Sequence, residues 1–301
     1  MDMNDYTIAG LRFRIEGHTS DLAALGLDGF APFATTSGAE ADCTMRLDVE
    51  CDSSIFGRTE TLGMYDLSEA DAECRFARCD TGHLLQIVRR AQPDRPVMLH
   101  KEYGRGYVIG NPLAGSRADL PLLRFGLWTM AALTMAGRRA IAIHSSAIVY
   151  RGQAVLFLGE SGTGKSTHTR LWRENIDSAR LLNDDSPVIR IVEDADGGEA
   201  VVAYGSPWSG KTPCYKNESY PVRAICRLSQ APHNRIERLS TIRSIGALLP
   251  SCPPAFAHDA ELQDTLCRTL SDIIERVPVY RLECLPDADA ALLACKTIFD
   301  S

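Results

Sequence analysis

The pattern of apolar and polar residues divides the chain near residue 115. Before that point, short apolar runs alternate with Gly, Asp and Pro, and no long amphipathic stretch occurs. Short runs bounded by turn-forming residues are typical of β-strands. We therefore predict a β-rich N-terminal module over residues 1–115. Its predicted strands cover residues 7–15, 44–50, 84–88, 97–101 and 106–109.

Beyond this point the periodicity becomes mixed. Apolar residues recur at helical spacing in several segments, with short strand-like runs between them. This alternation predicts an α/β domain over residues 116–301. The predicted helices cover residues 120–136, 165–174, 240–249, 259–276 and 286–299. The segment 111–116, Asn-Pro-Leu-Ala-Gly-Ser, is predicted to link the two domains.

Two strand-like runs at residues 140–150 and 154–158 predict a β-hairpin. The turn between them is expected to have three residues, Arg151-Gly152-Gln153. The second strand of this hairpin would lead directly into a glycine-rich motif. Such a motif usually follows a strand of a parallel sheet built from crossover units. A hairpin at this position therefore predicts a mixed sheet.

The glycine-rich motif is Gly159-Glu-Ser-Gly-Thr-Gly-Lys-Ser166, which fits G-x-x-x-x-G-K-[ST]. A strand, a glycine loop and a helix start place successive backbone N–H groups around phosphates, and the helix N-terminus adds partial positive charge. Lys165 is expected at the β- and γ-phosphates, and the Ser166 hydroxyl on Mg²⁺. The residues predicted to bind a nucleotide are Gly159, Glu160, Ser161, Gly162, Thr163, Gly164, Lys165, Ser166 and Thr167.

Phosphoryl transfer also needs a carboxylate for the metal and a group that positions or deprotonates the nucleophile. Asp184 and Asp185 end a predicted strand about twenty residues after Lys165. Neighbouring strand residues point to opposite faces, so one carboxylate is expected on Mg²⁺ and the other toward an acceptor hydroxyl. The alternative is a structural turn, because Asn, Asp, Ser and Pro also favour turns.

Two basic residues complete the candidate set. His144 lies on the first strand of the predicted hairpin, where a lone histidine is usually structural. Lys211 follows a Gly-Ser-Pro-Trp turn. It either offsets charge on a transferring phosphoryl group or is an exposed turn lysine.

Composition argues against several classes of partner. The net charge is −7, and no basic stripe interleaved with aromatic residues occurs, so we expect no nucleic-acid partner. The longest apolar stretch, 120–136, contains Arg124 and is shorter than a membrane span. The N-terminus lacks a basic segment followed by an apolar one, as a secretory signal would have. We therefore expect a cytoplasmic protein without a membrane partner. The ten cysteines form no C-x-x-C pair and are expected to be reduced thiols.

Four elements over residues 140–191 resemble, in order and spacing, the catalytic core of HPr kinase/phosphorylase. They are Ile143-His-Ser-Ser-Ala-Ile, Arg151-Gly, the glycine motif, and Leu182-Asn-Asp-Asp185. That core is related to the ATP-dependent phosphoenolpyruvate (PEP) carboxykinases. The resemblance implies an α/β fold with an HPr kinase/PEP carboxykinase-like mixed-sheet P-loop core. It also implies ATP and Mg²⁺ as cofactors.

The resemblance implies a role for each matching residue. His144 matches the histidine beside the active site, and Lys165 and Ser166 match the phosphate and metal residues. Metal is assigned to Asp184 and the base to Asp185, although the two roles could be reversed. Uncharacterised HPr-kinase-like proteins of bacteria share the Gly-Ser-Pro-Trp-Ser-Gly-Lys segment that ends at Lys211.

The function predicted from these features is an ATP-dependent kinase. It would transfer the γ-phosphoryl group to a hydroxyl acceptor, which is a serine or threonine of a peptide or protein, or a small molecule. The chain lacks the Pro-Gly-Arg-Asn segment of HPr kinases, and Thr167 replaces their glutamate, so the acceptor is left open. A homo-oligomer is compatible with the sequence.

Two alternative functions are kept. The first is a PEP carboxykinase-like phosphotransferase, which would need a Mn²⁺ site and an arginine-rich anion pocket that the sequence does not locate. The second is a non-catalytic nucleotide-sensing module that uses the glycine loop as a switch.

Overall fold

The computed structural model describes residues 2–17, 20–36, 38–51, 53–67, 70–114, 119–194, 196–210 and 212–300. The chain forms two compact units. The first comprises Met1–Gly137 with Ala255–Glu261, and the second comprises Arg138–Pro254 with Leu262–Ser301. Lys211 and part of the predicted linker 111–116 lie outside the described residues. Among the described residues, no helix combines the length and the apolar composition needed to cross a membrane.

The first unit contains a nine-stranded sheet with the order β3-β1-β2-β4-β9-β8-β7-β6-β5. Its strands are β1 (Asp2–Ile8), β2 (Leu11–Gly17), β3 (Ala34–Thr35), β4 (Cys43–Arg46), β5 (Thr59–Leu67), β6 (Ala72–Cys79), β7 (Gly82–Arg89), β8 (Val97–Glu102) and β9 (Tyr107–Gly110). Strand β4 runs parallel to both of its neighbours, whereas the other pairs are antiparallel.

The strands predicted at 84–88, 97–101 and 106–109 are confirmed as parts of β7, β8 and β9. The single strand predicted at 7–15 is wrong, because Ala9 and Gly10 adopt positive φ values of 53° and 70° and form a hairpin turn between β1 and β2. The sequence also gave no sign of β5, an edge strand with few buried residues.

Helix α1 (Leu120–Ala136) is confirmed where the sequence predicts it. The Asp119 side chain caps its N-terminus by accepting from the Leu122 N–H. The helix packs on β7 and β8, and a Cβ at Gly126 would overlap Leu99 Cδ1. Because of this packing, the first unit extends to Gly137, whereas the predicted division at 115 assigns α1 to the second domain.

The second unit contains the other large sheet, with the order β10-β14-β15-β16-β12-β11-β13. Strand β18 also pairs with β16, and β17 pairs with β18. The strands are β10 (Ala140–Ala142), β11 (Ser145–Tyr150), β12 (Gln153–Leu158), β13 (Arg180–Asp185), β14 (Val188–Glu193), β15 (Glu199–Tyr204), β16 (Ser219–Gln230), β17 (Arg235–Arg238) and β18 (Val279–Cys284). Strands β12 and β18 run parallel to β16, and the other pairs are antiparallel. The predicted mixed α/β architecture is confirmed at this level.

Four helices follow in sequence, and each lies within two residues of its predicted bounds. They are α2 (Lys165–Asn175), α3 (Thr241–Leu248), α4 (Ala260–Arg276) and α5 (Ala288–Phe299). Helix α4 begins in the segment assigned to the first unit and continues in the second.

The hairpin predicted before the glycine loop is confirmed by the antiparallel pairing of β11 and β12. Its turn has two residues instead of three, because Tyr150 pairs with Gln153. Arg151 and Gly152 have φ values of 49° and 74°, as in the tight turns that match the strand twist.

Helix α2 packs on the sheet through an aromatic cluster. Trp172 is fully buried, and its Nε1 donates to His168 Nε2 at 3.1 Å. The His168 ring meets Phe157 of β12 edge-on, with ring centroids 4.6 Å apart. Burial lowers the pKa of His168 to about 4, so the ring is neutral near pH 7 and can accept the hydrogen bond from the indole N–H. This contact fixes the helix directly behind the glycine loop.

Candidate functional site

The glycine loop, residues 159–164, connects the end of β12 to the first residue of α2. Gly162 and Gly164 have φ values of 81° and 103°, and a Cβ on either would meet nothing within 4 Å. Their left-handed backbone, and not a lack of space, therefore requires glycine. The Gly164 carbonyl accepts from His168 N–H at 2.8 Å, which begins the helix. The sequence thus forms a strand, a tight loop and a helix N-terminus in succession.

The side chain of Lys165 lies against this loop. Its Nζ donates to the carbonyl oxygens of Gly159 at 2.8 Å and Glu160 at 3.2 Å. Burial lowers the pKa of Lys165, while the charges of Asp185 and Asp184 oppose that shift. The ammonium group is therefore held at the loop, within electrostatic reach of both carboxylates.

Asp184 is the centre of a cluster of oxygen atoms. Its Oδ1 accepts from Ser166 Oγ at 3.0 Å and also from Ser146 Oγ. Ser146 lies opposite Asp184 in the register of β11 and β13. Carboxylate and hydroxyl oxygens are ligands that Mg²⁺ prefers, and this ion usually takes its other ligands from water and phosphate. Among the described residues no group of three or more His, Cys, Asp or Glu side chains is arranged around a metal position.

Asp185 contacts a different partner from Asp184. Its Oδ1 lies 3.6 Å from His144 Nε2, which is too long for a hydrogen bond and suits an ion pair only when the histidine is protonated. Burial and the charge of Lys165 lower the pKa of His144, against the opposing charge of Asp185. The side chains of His144 and Asp185 are 40% and 43% exposed, so both face the open side of the site.

His144 lies at a bend between β10 and β11, so the prediction that it is on the hairpin's first strand is wrong by one residue. Its backbone N–H donates to the Ser251 carbonyl at 2.7 Å and is not part of the β11 ladder. The predicted strand 140–150 is divided at this point, because β10 pairs with β14 whereas β11 pairs with β12 and β13.

The end of β13 explains how two adjacent carboxylates reach different partners. Asp184 is 4% exposed and points toward α2, whereas Asp185 points toward His144, as the alternation of strand side chains predicts. Asp185 has a φ of 153°, and regular pairing ends there.

Asn183 organises the backbone around this strand end, a role that the sequence analysis did not assign. Its side chain is fully buried. Its Nδ2 donates to the Trp208 carbonyl at 3.0 Å, and its Oδ1 accepts from Ser186 N–H at 2.9 Å. It therefore ties β13 to the segment 206–210. The signal in the sequence is an amide that directly precedes the two aspartates.

The segment 206–210 also forms a hydrogen bond with the backbone of Asp184. Gly210 N–H donates to the Asp184 carbonyl, and a Cβ at Gly210 would lie 2.9 Å from that oxygen. Ser209 forms a β-bridge with Asp185, and its Oγ accepts from Cys214 N–H at 3.1 Å. Lys211, which the sequence analysis included among the catalytic candidates, follows this segment but lies outside the described residues.

The remaining loop residues differ in exposure. Ser161 and Gly162 are exposed, while Thr163 and Thr167 are half-buried. The Glu160 side chain is 81% exposed, and its Oε1 lies 3.6 Å from a guanidinium nitrogen of Arg227. Glu160 therefore faces away from the carboxylate pair.

A cavity of about 580 Å³ lies beside the tip of the glycine loop. We call it the arginine pocket, because Arg227, Arg243 and Arg281 contribute to its lining together with residues 160–163 of the loop. No sequence motif indicated it, since the three arginines come from three separate elements, β16, α3 and β18.

Comparison with known proteins gives little further information. No family model matches the chain, and no curated protein matches it. Among solved structures, the HPr(Ser) kinase/phosphatase from Coxiella burnetii is similar at 15% identity and a TM-score of 0.27, covering 52% of this chain and 92% of that one. A similarity at this level assigns no family, so the function has to be argued from the geometry of the site.

Proposed function

We propose that the second unit is an ATP- and Mg²⁺-dependent kinase that transfers the γ-phosphoryl group to a hydroxyl. The observation that carries the proposal is the meeting of two segments at the glycine loop. Lys165 and Ser166, which begin α2, lie beside Asp184 and Asp185, which end β13. Phosphoryl transfer requires a cation for the phosphates, oxygen ligands for a metal, and a carboxylate that a substrate hydroxyl can reach.

In this proposal the backbone N–H groups of the loop hold the nucleotide phosphates. Lys165 Nζ exchanges its two carbonyl contacts for phosphate oxygens, which are stronger acceptors because they are charged. Ser166 and Asp184 would hold Mg²⁺, which neutralises charge on the phosphates when it is bound.

The transfer step then uses Asp185. The acceptor oxygen forms a bond to the γ-phosphorus as the bond from that phosphorus to ADP breaks, and ADP leaves with the electron pair. The acceptor's proton goes to Asp185, whose half-exposed position admits a substrate. His144 lies 3.6 Å from this carboxylate, and its lowered pKa keeps it neutral, so it adds no positive charge that would make Asp185 a weaker base. The proposal also assigns Lys211, from its place in the sequence alone, to offset charge on the transferring phosphoryl group.

The test is incubation of the protein with Mg²⁺ and γ-labelled ATP, together with serine- and threonine-containing peptides and hydroxylated metabolites. The proposal expects label on one of these acceptors, and no label when Lys165→Ala replaces the wild type. Tight ATP binding without any transfer or hydrolysis would instead support the nucleotide-sensing module. ATP-dependent conversion of oxaloacetate would support the carboxykinase-like alternative.

A further inference from the structure

The arginine pocket is built on a row of charged side chains across three strands. Arg227 of β16 pairs in register with Arg281 of β18, and Arg281 pairs with Glu237 of β17. The residues that alternate with them, such as Leu228 and Leu282, belong to the core on the other face of the sheet. Two neighbouring arginines on a sheet repel each other, and this repulsion is offset here by Glu160, which lies near Arg227, and by Glu283, which lies near Arg281.

Helix α3 adds the third arginine and encloses the pocket. A guanidinium N–H of Arg227 donates to the Ala247 carbonyl at 3.0 Å, which holds the helix beside the charged row. Arg243, in the first half of this helix, also lines the cavity and pairs with Glu237. The volume of about 580 Å³ lies within the range of small-molecule sites.

Each of these arginines has an acidic partner, but the partners of Arg243 and Arg281, Glu237 and Glu283, are not among the residues that line the pocket. Glu160 is the carboxylate among the lining residues, and it is 81% exposed at 3.6 Å from Arg227. Glu283 lies 3.1 Å from Arg281, and both side chains are partly exposed. Exposed ion pairs are weak, so an anion with several charges can replace them. A guanidinium group matches carboxylates and phosphates with two parallel hydrogen bonds.

We propose that the arginine pocket binds a small-molecule anion that carries two or more carboxylate or phosphate groups. This site is distinct from the carboxylate pair at the end of β13, although it shares residues 160–163 with the glycine loop. Strand β13 of the carboxylate pair is separated from β16 by β11 and β12, a distance of about 14 Å at ordinary strand spacing. The loop itself connects the two places, since Gln230 Nε2 donates to the Gly162 carbonyl at 3.2 Å. The anion site does not depend on the proposed kinase activity.

The experiment is isothermal titration calorimetry at constant ionic strength, with citrate and pyrophosphate as the probes. We expect one of the two probes to bind the wild type, and binding to weaken about tenfold in Arg281→Gln and in Arg243→Gln. Two variants allow for the case in which one fails to fold, which circular dichroism detects. Preference for citrate or for pyrophosphate identifies carboxylate or phosphate as the recognised group.

Two controls separate this site from the glycine loop and from general surface charge. Lys165→Ala removes the loop's cation, and Arg170→Gln removes an exposed arginine that pairs with Glu174 on α2. Arg170→Gln should bind the probe as the wild type does, and Lys165→Ala should weaken binding less than the two arginine variants do, whether or not the protein is a kinase. The proposal is overturned if neither probe binds, if only Lys165→Ala abolishes binding, or if uncharged adenosine displaces the bound probe.

Discussion

The two sides of the glycine loop carry opposite charge. On the side of β11 and β13, Asp184 accepts from two hydroxyl groups and Asp185 lies near His144, an arrangement suited to a cation and to proton transfer. On the side of β16 and β18, Arg227, Arg243 and Arg281 face a cavity suited to anions. The net charge of −7 conceals this division. The glycine loop follows β12, an interior strand of the sheet. It can therefore have a group of carboxylates on one side and a group of arginines on the other.

The side chains on the two sides of the loop also differ in burial and in hydrogen bonding. Asp184 and Asn183 are buried and bonded to backbone and side-chain groups around them. The side chains of Arg243 and Arg281 are 51% and 43% exposed, with acidic partners in reach. Substitutions on the acidic side should therefore change catalysis or folding strongly, and substitutions on the arginine side should change mainly ligand binding.

The largest expected effect is on turnover. Asp185→Asn keeps the size of the side chain but removes the proton acceptor, so phosphoryl transfer should fall about 10³-fold while ATP affinity is retained. Rates from the labelled-ATP assay and affinities from calorimetry measure the two quantities. Asp177→Asn, an exposed site on the same unit, is the control. Unchanged turnover in Asp185→Asn would remove this residue from the mechanism.

The next effect is on folding. Asn183→Ala removes the acceptor of the buried Ser186 N–H and one of two donors to the Trp208 carbonyl, which keeps the Ser206 hydroxyl, and we expect a loss of about 2 to 3 kcal/mol in the free energy of unfolding. Urea denaturation measures it. Asn175→Ala, whose amide donates to the Leu171 carbonyl on an exposed part of α2, should cost less than about 1 kcal/mol. Equal losses in the two variants would contradict the organising role of Asn183.

A smaller effect concerns α2, which carries Lys165 and Ser166. The pKa of His168 is about 4 in the folded protein, against 6.5 when unfolded, so the unfolded state gains the proton first as pH falls. Stability should therefore be complete above about pH 6.5 and fall by at most about 3 kcal/mol toward pH 4.

Urea denaturation between pH 7 and pH 4.5 measures this dependence. His168→Gln can still accept the Trp172 proton but does not titrate, so its stability should depend less on pH than that of the wild type. His233→Gln, at an exposed position, should keep the wild-type dependence. If His168→Gln also keeps the wild-type pH dependence of stability, a group other than His168 causes that dependence.

The smallest effect is expected on the arginine side. Glu160→Gln removes the carboxylate that faces Arg227, so citrate or pyrophosphate should bind about two- to threefold more tightly at low salt. Calorimetry at low and at high salt measures the gain, which should disappear at high salt. Glu174→Gln, which breaks an exposed pair with Arg170, is the control and should show no gain.

The elements that depend on local interactions could be predicted from the sequence. The five helices lie where apolar periodicity and capping residues predict them, as with Asp119 before α1. The hairpin and the glycine loop were also found, because turn residues and glycines with positive φ carry their own local signal. The strand predicted over 140–150 was less accurate, since the pairing partners that divide it are distant in the chain.

The sequence by itself therefore determined the loop, its helix and the two acidic residues as candidates. Only the tertiary structure showed that Asp184 accepts hydrogen bonds from Ser166 and Ser146 and that Asn183 donates to the Trp208 carbonyl. It also showed that the three arginines line one pocket. The physical reason is sequence distance. A glycine loop is specified by neighbouring residues, whereas the pairing of Arg227 with Arg281 depends on the register of two parallel strands joined by a long connection.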